Sequence, residues 1–124
     1  MVRQNIVFLT GAGISADSGI PTFRGDNGIW RDEKLKYRAS IECFEEYTES
    51  SLDLYNAMRE KIYYARPNHA HSVIAALERQ QDVTIITQNV DDLHERACST
   101  HVIHMHGELA KVTSLKFPTP KKMA

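Results

Sequence analysis

Two histidines close together in the sequence, His104 and His106, are of a residue type that could catalyse a reaction. They stand at positions i and i+2 of the run Val102–His106, which is the spacing of side chains on one face of a strand. An imidazole has an unperturbed pKa of about 6.5, which suits a general base at neutral pH, and neutral imidazoles also bind transition metals. Cys98 and Glu108 fit no standard metal motif. A third interpretation makes both residues half-buried, hydrogen-bonded strand histidines. Periodicity does not show whether His104 or His106 would be the base.

A glycine pair near the N-terminus could bind phosphates. The apolar run Ile6–Leu9 has the length and β-branched character of a buried parallel strand, and a helix is predicted to begin at Ser15. Between them, Gly11 permits a tight turn and Gly13 lets the backbone approach a pyrophosphate, while Ala16 allows close packing of helix on strand. The positive end of the helix dipole would then face the phosphates. The same spacing also fits a turn in which the glycines have no other role.

The residues after this helix, which is predicted to end near Gly19, form a loop from Pro21 to Trp30. This loop carries Phe23, Arg24 and Trp30 directly after the predicted phosphate turn. Such a loop could fold over a bound nucleotide. A solvated connector is the alternative, and the presence of two large aromatic residues argues against it.

A second polar group follows the predicted strand Val83–Thr87. Open α/β sheets bind their ligands just beyond the carboxyl ends of parallel strands, where Gln88, Asn89 and Asp91 are found. Capping of a helix that carries Leu93 would also explain Asn89 or Asp91. The next residues are predicted to form a solvated helix face: His94, Glu95 and Arg96.

The remaining elements follow from periodicity and turn residues. Residues 31–50 are predicted to form short helical pieces and loops, and a helix from residue 51 to 62 is predicted to be capped by Ser50 or Ser51. A second helix begins after Pro67, with Asn68 as its N-cap. Its predicted apolar stripe consists of Ala70, Val73, Ile74 and Leu77. The third strand is predicted to run from Val102 to His106 and to break at Gly107.

Composition limits the possible classes of protein. The 124 residues allow one domain at most, and a net charge of −1 gives no pull toward nucleic acid or a membrane surface. No apolar run approaches the roughly 20 residues of a membrane span, and Met1–Asn5 does not have the pattern of a signal peptide. Cys43 and Cys98 are far apart with no C-x-x-C motif, so neither a disulfide scaffold nor a zinc ribbon is predicted. The expected location is cytoplasmic.

Three segments together resemble a known family. The run Gly11–Gly25 closely resembles the cofactor loop of the sirtuins, which are NAD-dependent protein-lysine deacylases. Thr87–Asp91, followed by Leu93-His94, resembles the sirtuin motif T-Q-N-[IV]-D-x-L-H. His106-Gly107 resembles the catalytic H-G of the family. The order of the three motifs is the same as in the family.

The resemblance implies a reaction and a role for each matching residue. The acyl-lysine oxygen attacks the nicotinamide ribose of NAD and expels nicotinamide, after which His106 acts as general base on a ribose hydroxyl. Gln88 and Asn89 would contact the ribose, and Asp91 would hold the nicotinamide amide. Phe23 and Arg24 would lie over the reacting sugar. The complete cofactor-binding set implied by the resemblance is Gly11, Ala12, Gly13, Ile14, Ser15, Asp17, Phe23, Arg24, Trp30, Gln88, Asn89 and Asp91.

The chain departs from the family pattern at its substrate-binding motif. One branch of the family recognises acidic acyl groups with a Y-x-x-R pair, and here Tyr55 is retained as a substrate-binding residue while Met58 replaces the arginine. Arg59 lies one position later, about 100° further round a helix, and would point elsewhere. We therefore expect neutral acyl groups on the substrate lysine.

The second departure concerns zinc and chain length. Zinc is expected for the family, but Ser114 stands where the first of its four zinc-binding cysteines is found, and the other three are absent, so no metal site is predicted. The later strands are absent as well. The predicted fold is α/β: a partial Rossmann-like parallel sheet of about three strands with flanking helices, lacking the zinc module. Residues 1–112 are predicted to be a partial NAD-binding and catalytic domain, and residues 113–124 an irregular tail.

Three functional hypotheses follow. The first is a protein-lysine deacylase, truncated after the catalytic histidine, that acts on acyl-lysine proteins or peptides. The second is a non-catalytic remnant that binds NAD or a partner. The third is a small metal-dependent hydrolase that uses His104 and His106. Because strands that are interior in the family become edges here, marginal stability or self-association is also expected.

Overall fold

The computed structural model describes residues 2–26, 28–114 and 121–122. Three parallel strands form its central sheet in the order β1-β2-β3: β1 is Asn5–Thr10, β2 is Asp82–Thr87 and β3 is Val102–His104. The predicted sheet of about three parallel strands with flanking helices is confirmed. In the register of the sheet, Thr10 pairs with Thr87, and Thr87 pairs with His104. The segments that follow the three strands therefore begin at the same edge of the sheet.

The helices that flank the sheet are mostly short. The bounds are α1 Gly13–Ala16, a 3-10 turn at Ile29–Arg31, α2 Glu33–Arg38, α3 Ile41–Glu46, α4 Thr48–Tyr64, α5 His69–Leu77 and α6 Leu93–Arg96. The short helical pieces predicted for residues 31–50 are present as α2 and α3. Among the described residues, no helix is both long and apolar enough to cross a membrane.

A second, two-stranded antiparallel sheet pairs β4, Lys111–Val112, with β5, Lys121–Lys122. This pairing crosses the predicted boundary between residues 112 and 113. Residues 115–120 and 123–124 of the predicted tail lie outside the described residues. The division of the chain at this boundary stays a prediction.

The predicted limits of the first helix are wrong. Helix α1 begins at Gly13, not at Ser15, and ends at Ala16, well before Gly19. The reason is that the turn begins earlier than expected, because the N–H groups of Ile14 and Ser15 already donate to the carbonyls of Gly11 and Ala12.

The predicted cap of α4 is also wrong. The helix begins at Thr48, and no side chain caps it. Ser51 is fully buried inside the first turns, where its hydroxyl donates to the carbonyl of Arg38 at 2.8 Å. Its role is thus to join α4 to the end of α2.

Helix α5 begins as predicted at Asn68, whose Oδ1 accepts from the N–H of Ala70 at 2.9 Å. Its buried face differs from the predicted stripe, because Ala70 and Val73 are exposed while His71 is fully buried. The Nδ1 atom of His71 accepts from the N–H of Asn68, so the cap turns this polar ring inward.

The core lies between α5 and one face of the sheet. Its buried centre is Ile74, Val83 and Ile85, with Phe8, Ile14, Leu77 and Val102 packed around it. On the opposite face, large apolar side chains are exposed: Val7, Leu9, Ile103 and Met105. Parallel sheets are normally covered on both faces. The predicted self-association of the chain stays a prediction.

Candidate functional site

Three segments meet beyond the carboxyl ends of the strands. Gln88 donates its N–H to the carbonyl of Thr10, and Met105 donates to that of Thr87, each at 2.9 Å. Leu109 also donates its N–H to the carbonyl of Val90 at 2.9 Å. These bonds hold residues 88–91 between the glycine turn after β1 and the turn after β3.

Three of the predicted cofactor-binding residues form one buried hydrogen-bonded group. Ser15 donates its hydroxyl to Asp91 Oδ2 at 2.9 Å, and Asn89 donates Nδ2 to the carbonyl of Gly11 at 3.0 Å. Their exposed fractions are 1% for Ser15 and 5% for Asn89 and Asp91. Asp91 Oδ1 also accepts from the N–H of Leu93 at 3.1 Å, but the N-cap residue of α6 is Asp92, whose side chain makes no capping bond, so the predicted cap at Asp91 is wrong. A network of this kind fixes the rotamers of its members.

A cavity of about 590 Å³, which we call the histidine cavity, opens beside this group. It is lined by Ala12, Gly13, Thr22, Phe23, Arg24, Trp30, Gln88, Asn89, Val90 and His106. Seven of the predicted cofactor-binding residues therefore share one surface with the predicted base. His106 is exposed here, and β3 ends at His104 rather than at His106 as predicted.

Contacts within the described part of the loop shape one wall of the histidine cavity. The rings of Phe23 and Trp30 stack with their centroids 5.2 Å apart, and the Trp30 N–H donates to the Phe23 carbonyl at 2.8 Å. A Cβ added at Gly28 would lie 2.6 Å from that carbonyl oxygen, so only glycine fits there. The two aromatic residues thus lie against a cavity, as expected for a loop that covers a ligand.

A second cavity of about 290 Å³, the aspartate cavity, adjoins the first. The two share the lining residues Ala12, Phe23, Asn89 and Val90. Ser15, Asp91 and Met58 line only the aspartate cavity. The polar group around Asp91 therefore lies on the wall of the aspartate cavity, and its member Asn89 lines both cavities.

Four residues of the predicted site line neither cavity. Gly11 acts through its carbonyl, which holds Asn89. Ile14 packs against the core, and Asp17 is exposed at the end of α1. Tyr55 donates its hydroxyl to the carbonyl of Ala39 at 3.2 Å. Their predicted ligand contacts stay predictions.

The solvated helix face predicted for α6 is wrong at two positions. His94 is only 1% exposed, and its Nε2 lies 3.0 Å from the hydroxyl of Thr10. Its ring meets that of His71 edge-on, with centroids 4.9 Å apart. Burial lowers the pKa of both histidines. The contacts of His94 come from a strand and a helix that are remote in sequence. The sequence of the four-residue helix α6 therefore could not predict them.

Glu95 is the second residue at which the prediction of a solvated helix face is wrong, because its carboxylate bonds to a largely buried histidine side chain. Its Oε1 lies 2.6 Å from Nε2 of His104, whose Nδ1 lies 3.0 Å from the carbonyl oxygen of Asn89. The hydrogen bond to Glu95 raises the pKa of His104 against the effect of burial, and the Asn89 carbonyl and the Glu108 carboxylate add to the increase. Burial opposes ionisation of Glu95, but the bond from His104 holds the pKa of this carboxyl below its usual value.

The metal hypothesis for His104 and His106 receives no support from this geometry. In the described part of the chain, the donor atoms that approach within 4.8 Å of one another belong to Glu95, His104 and Glu108. His106 is not among them. Glu95 and Glu108 were not predicted to be neighbours of His104, although Glu108 stands only two residues beyond His106 in the sequence.

The buried pair His71 and His94 predicts sensitivity to acid. Their pKa values are lower in the folded chain than the unfolded value of about 6.5, so the unfolded chain binds more protons as the pH falls through 6.5. The free energy of unfolding should decrease over that window and down to the folded pKa values. His104 acts in the opposite direction, because its raised pKa stabilises the fold below 6.5 and the effect is lost as the pH rises through its folded pKa.

Urea denaturation from about pH 7.5 to 5.5 measures this dependence. The loss of stability should be smaller in His94→Gln than in the wild type, because one of the two depressed titrations is removed. His69→Gln, at an exposed position on α5, is the matched control and should keep the wild-type slope. A His94→Gln slope equal to that of the wild type would contradict the assignment.

Polar residues gathered beyond the ends of parallel strands are the arrangement by which open α/β proteins bind ligands. The Sir2 family model matches residues 11–122 of this chain. The chain is 46% identical over 115 residues to an NAD-dependent protein deacylase of Bacteroides thetaiotaomicron and 48% identical over 115 residues to one of Helicobacter pylori. These alignments cover 93% of this chain and 49% and 50% of the relatives. The chain belongs to the Sir2 family, and the family resemblance predicted from the motifs is confirmed.

Solved structures agree with this assignment. An ADP-ribose complex of a Sir2 homologue superposes with a TM-score of 0.90 at 44% identity, over 96% of this chain and 48% of the homologue. A Sir2 homologue bound to NAD superposes with a TM-score of 0.84 at 44% identity, over 96% of this chain and 47% of the homologue. The chain thus spans about half the length of the relatives that it matches.

Proposed function

We propose that this chain binds NAD and forms the nicotinamide-ribose side of an NAD-dependent protein-lysine deacylase site, with His106 as its general base. The observation that carries the proposal is the histidine cavity, in which the exposed His106 shares one surface with Gln88, Arg24 and the Phe23–Trp30 stack. The relatives named as NAD-dependent deacylases and the solved NAD complex support the choice of cofactor and reaction.

The glycine turn fits a dinucleotide. A Cβ added at Gly11 or Gly13 would meet no protein atom within 4 Å, so the fold itself does not exclude side chains there. Gly13 lines the histidine cavity, where a side chain would occupy the space that a pyrophosphate needs. Arg24 is exposed on the same cavity and would lie with Phe23 over the reacting sugar.

The other residues of the proposed site would each have a separate role. When bound, NAD supplies a glycosidic bond whose cleavage releases nicotinamide. Asp91 would accept from the nicotinamide amide with lone pairs that Ser15 and the Leu93 N–H leave open, since a carboxylate accepts about four hydrogen bonds. Gln88 would contact the ribose, and the aromatic wall would exclude water. His106 would take a proton from a ribose hydroxyl so that the acyl group can move onto the sugar.

The proposed substrate is a lysine that carries a neutral acyl group. Met58 lines the aspartate cavity where an arginine would favour an acidic acyl group, and Tyr55 bonds to the Ala39 carbonyl. Arg38 and Lys61 also line that cavity, so a comparison of acetyl-lysine and succinyl-lysine peptides is informative. A preference for the succinyl peptide would contradict this part of the proposal.

Two assays test the proposed function. Calorimetry should detect NAD binding to the purified chain, and nicotinamide should be released from NAD only when an acetyl-lysine peptide is added. Binding without release would favour the second hypothesis in its NAD-binding form, a non-catalytic remnant. Absence of binding would refute the first hypothesis and the NAD-binding form of the second.

A paired substitution connects binding to the glycine turn. Gly13→Val should abolish NAD binding without a large change in the thermal melt, because the new side chain enters open space in the histidine cavity. Ala16→Val introduces the same β-branched residue into α1 at an exposed position outside both cavities and should bind NAD normally. Equal binding by the two variants would show that the nucleotide does not approach Gly13.

A further inference from the structure

His104 lies within hydrogen-bonding distance of two acceptors, one at each nitrogen of its ring. Its side chain is 7% exposed, with Nδ1 at 3.0 Å from the Asn89 carbonyl oxygen and Nε2 at 2.6 Å from Glu95 Oε1. A neutral imidazole has one N–H, so either neutral tautomer would turn a lone pair toward an acceptor. Only the imidazolium donates to both partners.

The charged groups around the ring favour the imidazolium. Glu95 and the buried His94 approach it from α6, and Glu108 Oε1 lies 3.8 Å from Nε2 on the side of the turn after β3. Lys111 pairs with the other oxygen of Glu108 at 2.5 Å. Two carboxylates therefore face one histidine, and a lysine neutralises part of the second.

The contacts of His104 lead directly to the candidate site. The Asn89 carbonyl belongs to residues 88–91, and the side chain of the same residue donates to the carbonyl of Gly11. Asn89 and Val90 line both cavities. The His104 ring thus joins α6 to the backbone segment that lines both cavities. His104 also lies two residues before His106 in the sequence.

We propose that His104 is a positioning residue, whose charged form holds the Asn89–Val90 backbone in the conformation that binds NAD. The proposal rests on the proposed function, because the ligand is the NAD assigned there. His104 itself lines neither cavity and acts through Asn89. Deprotonation would leave the one N–H of the ring on the carboxylate of Glu95, the stronger acceptor, so the bond to the Asn89 carbonyl would be lost. NAD binding would then weaken although no contact to the ligand is removed.

Two substitutions test this role, because each can keep one of the two hydrogen bonds that the ring makes. In His104→Asn, the amide nitrogen takes the place of Nδ1 and can still donate to the Asn89 carbonyl. In His104→Gln, it takes the place of Nε2 and can still donate to Glu95. Calorimetry at neutral pH should show NAD binding weakened about tenfold or more in His104→Gln, because a buried carbonyl is left unpaired, and within about threefold of wild type in His104→Asn. Equal affinities in both variants and the wild type would overturn the proposal.

The pH dependence of NAD binding gives a readout that a purely structural role would not change. In the wild type, affinity should fall as the pH rises above about 6.5 and through the raised pKa of His104. In Glu95→Gln, the amide can donate to a neutral ring or accept from a charged one, so this fall should disappear. An identical pH profile in Glu95→Gln would overturn the proposal.

The outcomes separate this inference from the proposed function. If the wild-type chain binds NAD at no pH, the proposed function fails and the positioning role fails with it. If the wild type binds NAD and the variants do not differ from it, only the positioning role fails. Thermal melts without NAD identify any variant that does not fold, and Glu95→Gln provides the test if both His104 variants unfold.

Discussion

Replacement of His106 with alanine is expected to slow acyl transfer by about 10²- to 10⁴-fold, which is the usual contribution of a general base. His106 lies on the wall of the histidine cavity, in a turn that is completed by Gly107 with a φ of +77°. Its ring is exposed, so its removal should leave the fold intact. NAD binding should change only a few-fold, because the cavity is also lined by nine other residues.

The proposed order of steps makes this prediction more specific. The base acts on a ribose hydroxyl after nicotinamide has left, so His106→Ala should still exchange labelled nicotinamide into NAD. Mass spectrometry of the acylated ADP-ribose product and the exchange assay, run on the same variant, measure the two steps separately. Loss of both reactions to the same extent would mean that His106 acts before or during nicotinamide release.

His101→Ala is the matched control. This histidine is also exposed, but it precedes β3 at the opposite edge of the sheet, where its Nδ1 lies 3.1 Å from the hydroxyl of Thr84. Acyl transfer should be normal in this variant. If His106→Ala retained full acyl transfer, the base would be another residue, and the assignment made from the H-G motif would be wrong.

The strands and the N-cap of α5 could be predicted because their sequence signals are local. The runs Ile6–Leu9 and Val83–Thr87 are short, apolar and β-branched, and both lie within observed strands. Asn68 follows a proline and precedes a helix, and its side chain makes the expected capping bond. In each case the sequence pattern that predicts the element spans only a few residues, although the strands themselves pair with distant segments.

The buried histidines could not be predicted, because distant segments determine their environment. The partners of His94 are Thr10, 84 residues earlier, and the ring of His71 on another helix. The i, i+2 spacing of His104 and His106 suggested one continuous strand face. The strand ends at His104, so one histidine is buried on Glu95 while the other is exposed on the cavity.

The residues of the proposed nicotinamide-ribose side of the site share a position in the fold. Every residue assigned to it follows β1, β2 or β3, and the pairing of these strands brings their carboxyl ends together. The relatives extend over about twice the aligned length, and one face of the sheet in this chain exposes Leu9 and Ile103.

Replacement of Leu93 with alanine is expected to lower the free energy of unfolding by about 2–5 kcal/mol, the usual cost of removing a fully buried leucine side chain. Leu93 is 0% exposed and is the first residue of α6. Alanine keeps the backbone N–H that donates to Asp91, so the loss is one of packing. Urea denaturation of the purified variant measures the effect.

Leu9→Ala is the matched control on the uncovered face of the sheet. Leu9 is 68% exposed, so the same substitution should cost about 0.5 kcal/mol or less. Both variants should be measured over a range of protein concentrations. If Leu9→Ala destabilises the chain as much as Leu93→Ala does, and more strongly at high concentration, then copies of the chain cover this face in solution. That result would establish the predicted self-association, because a side chain contributes in proportion to the apolar surface that it removes from water.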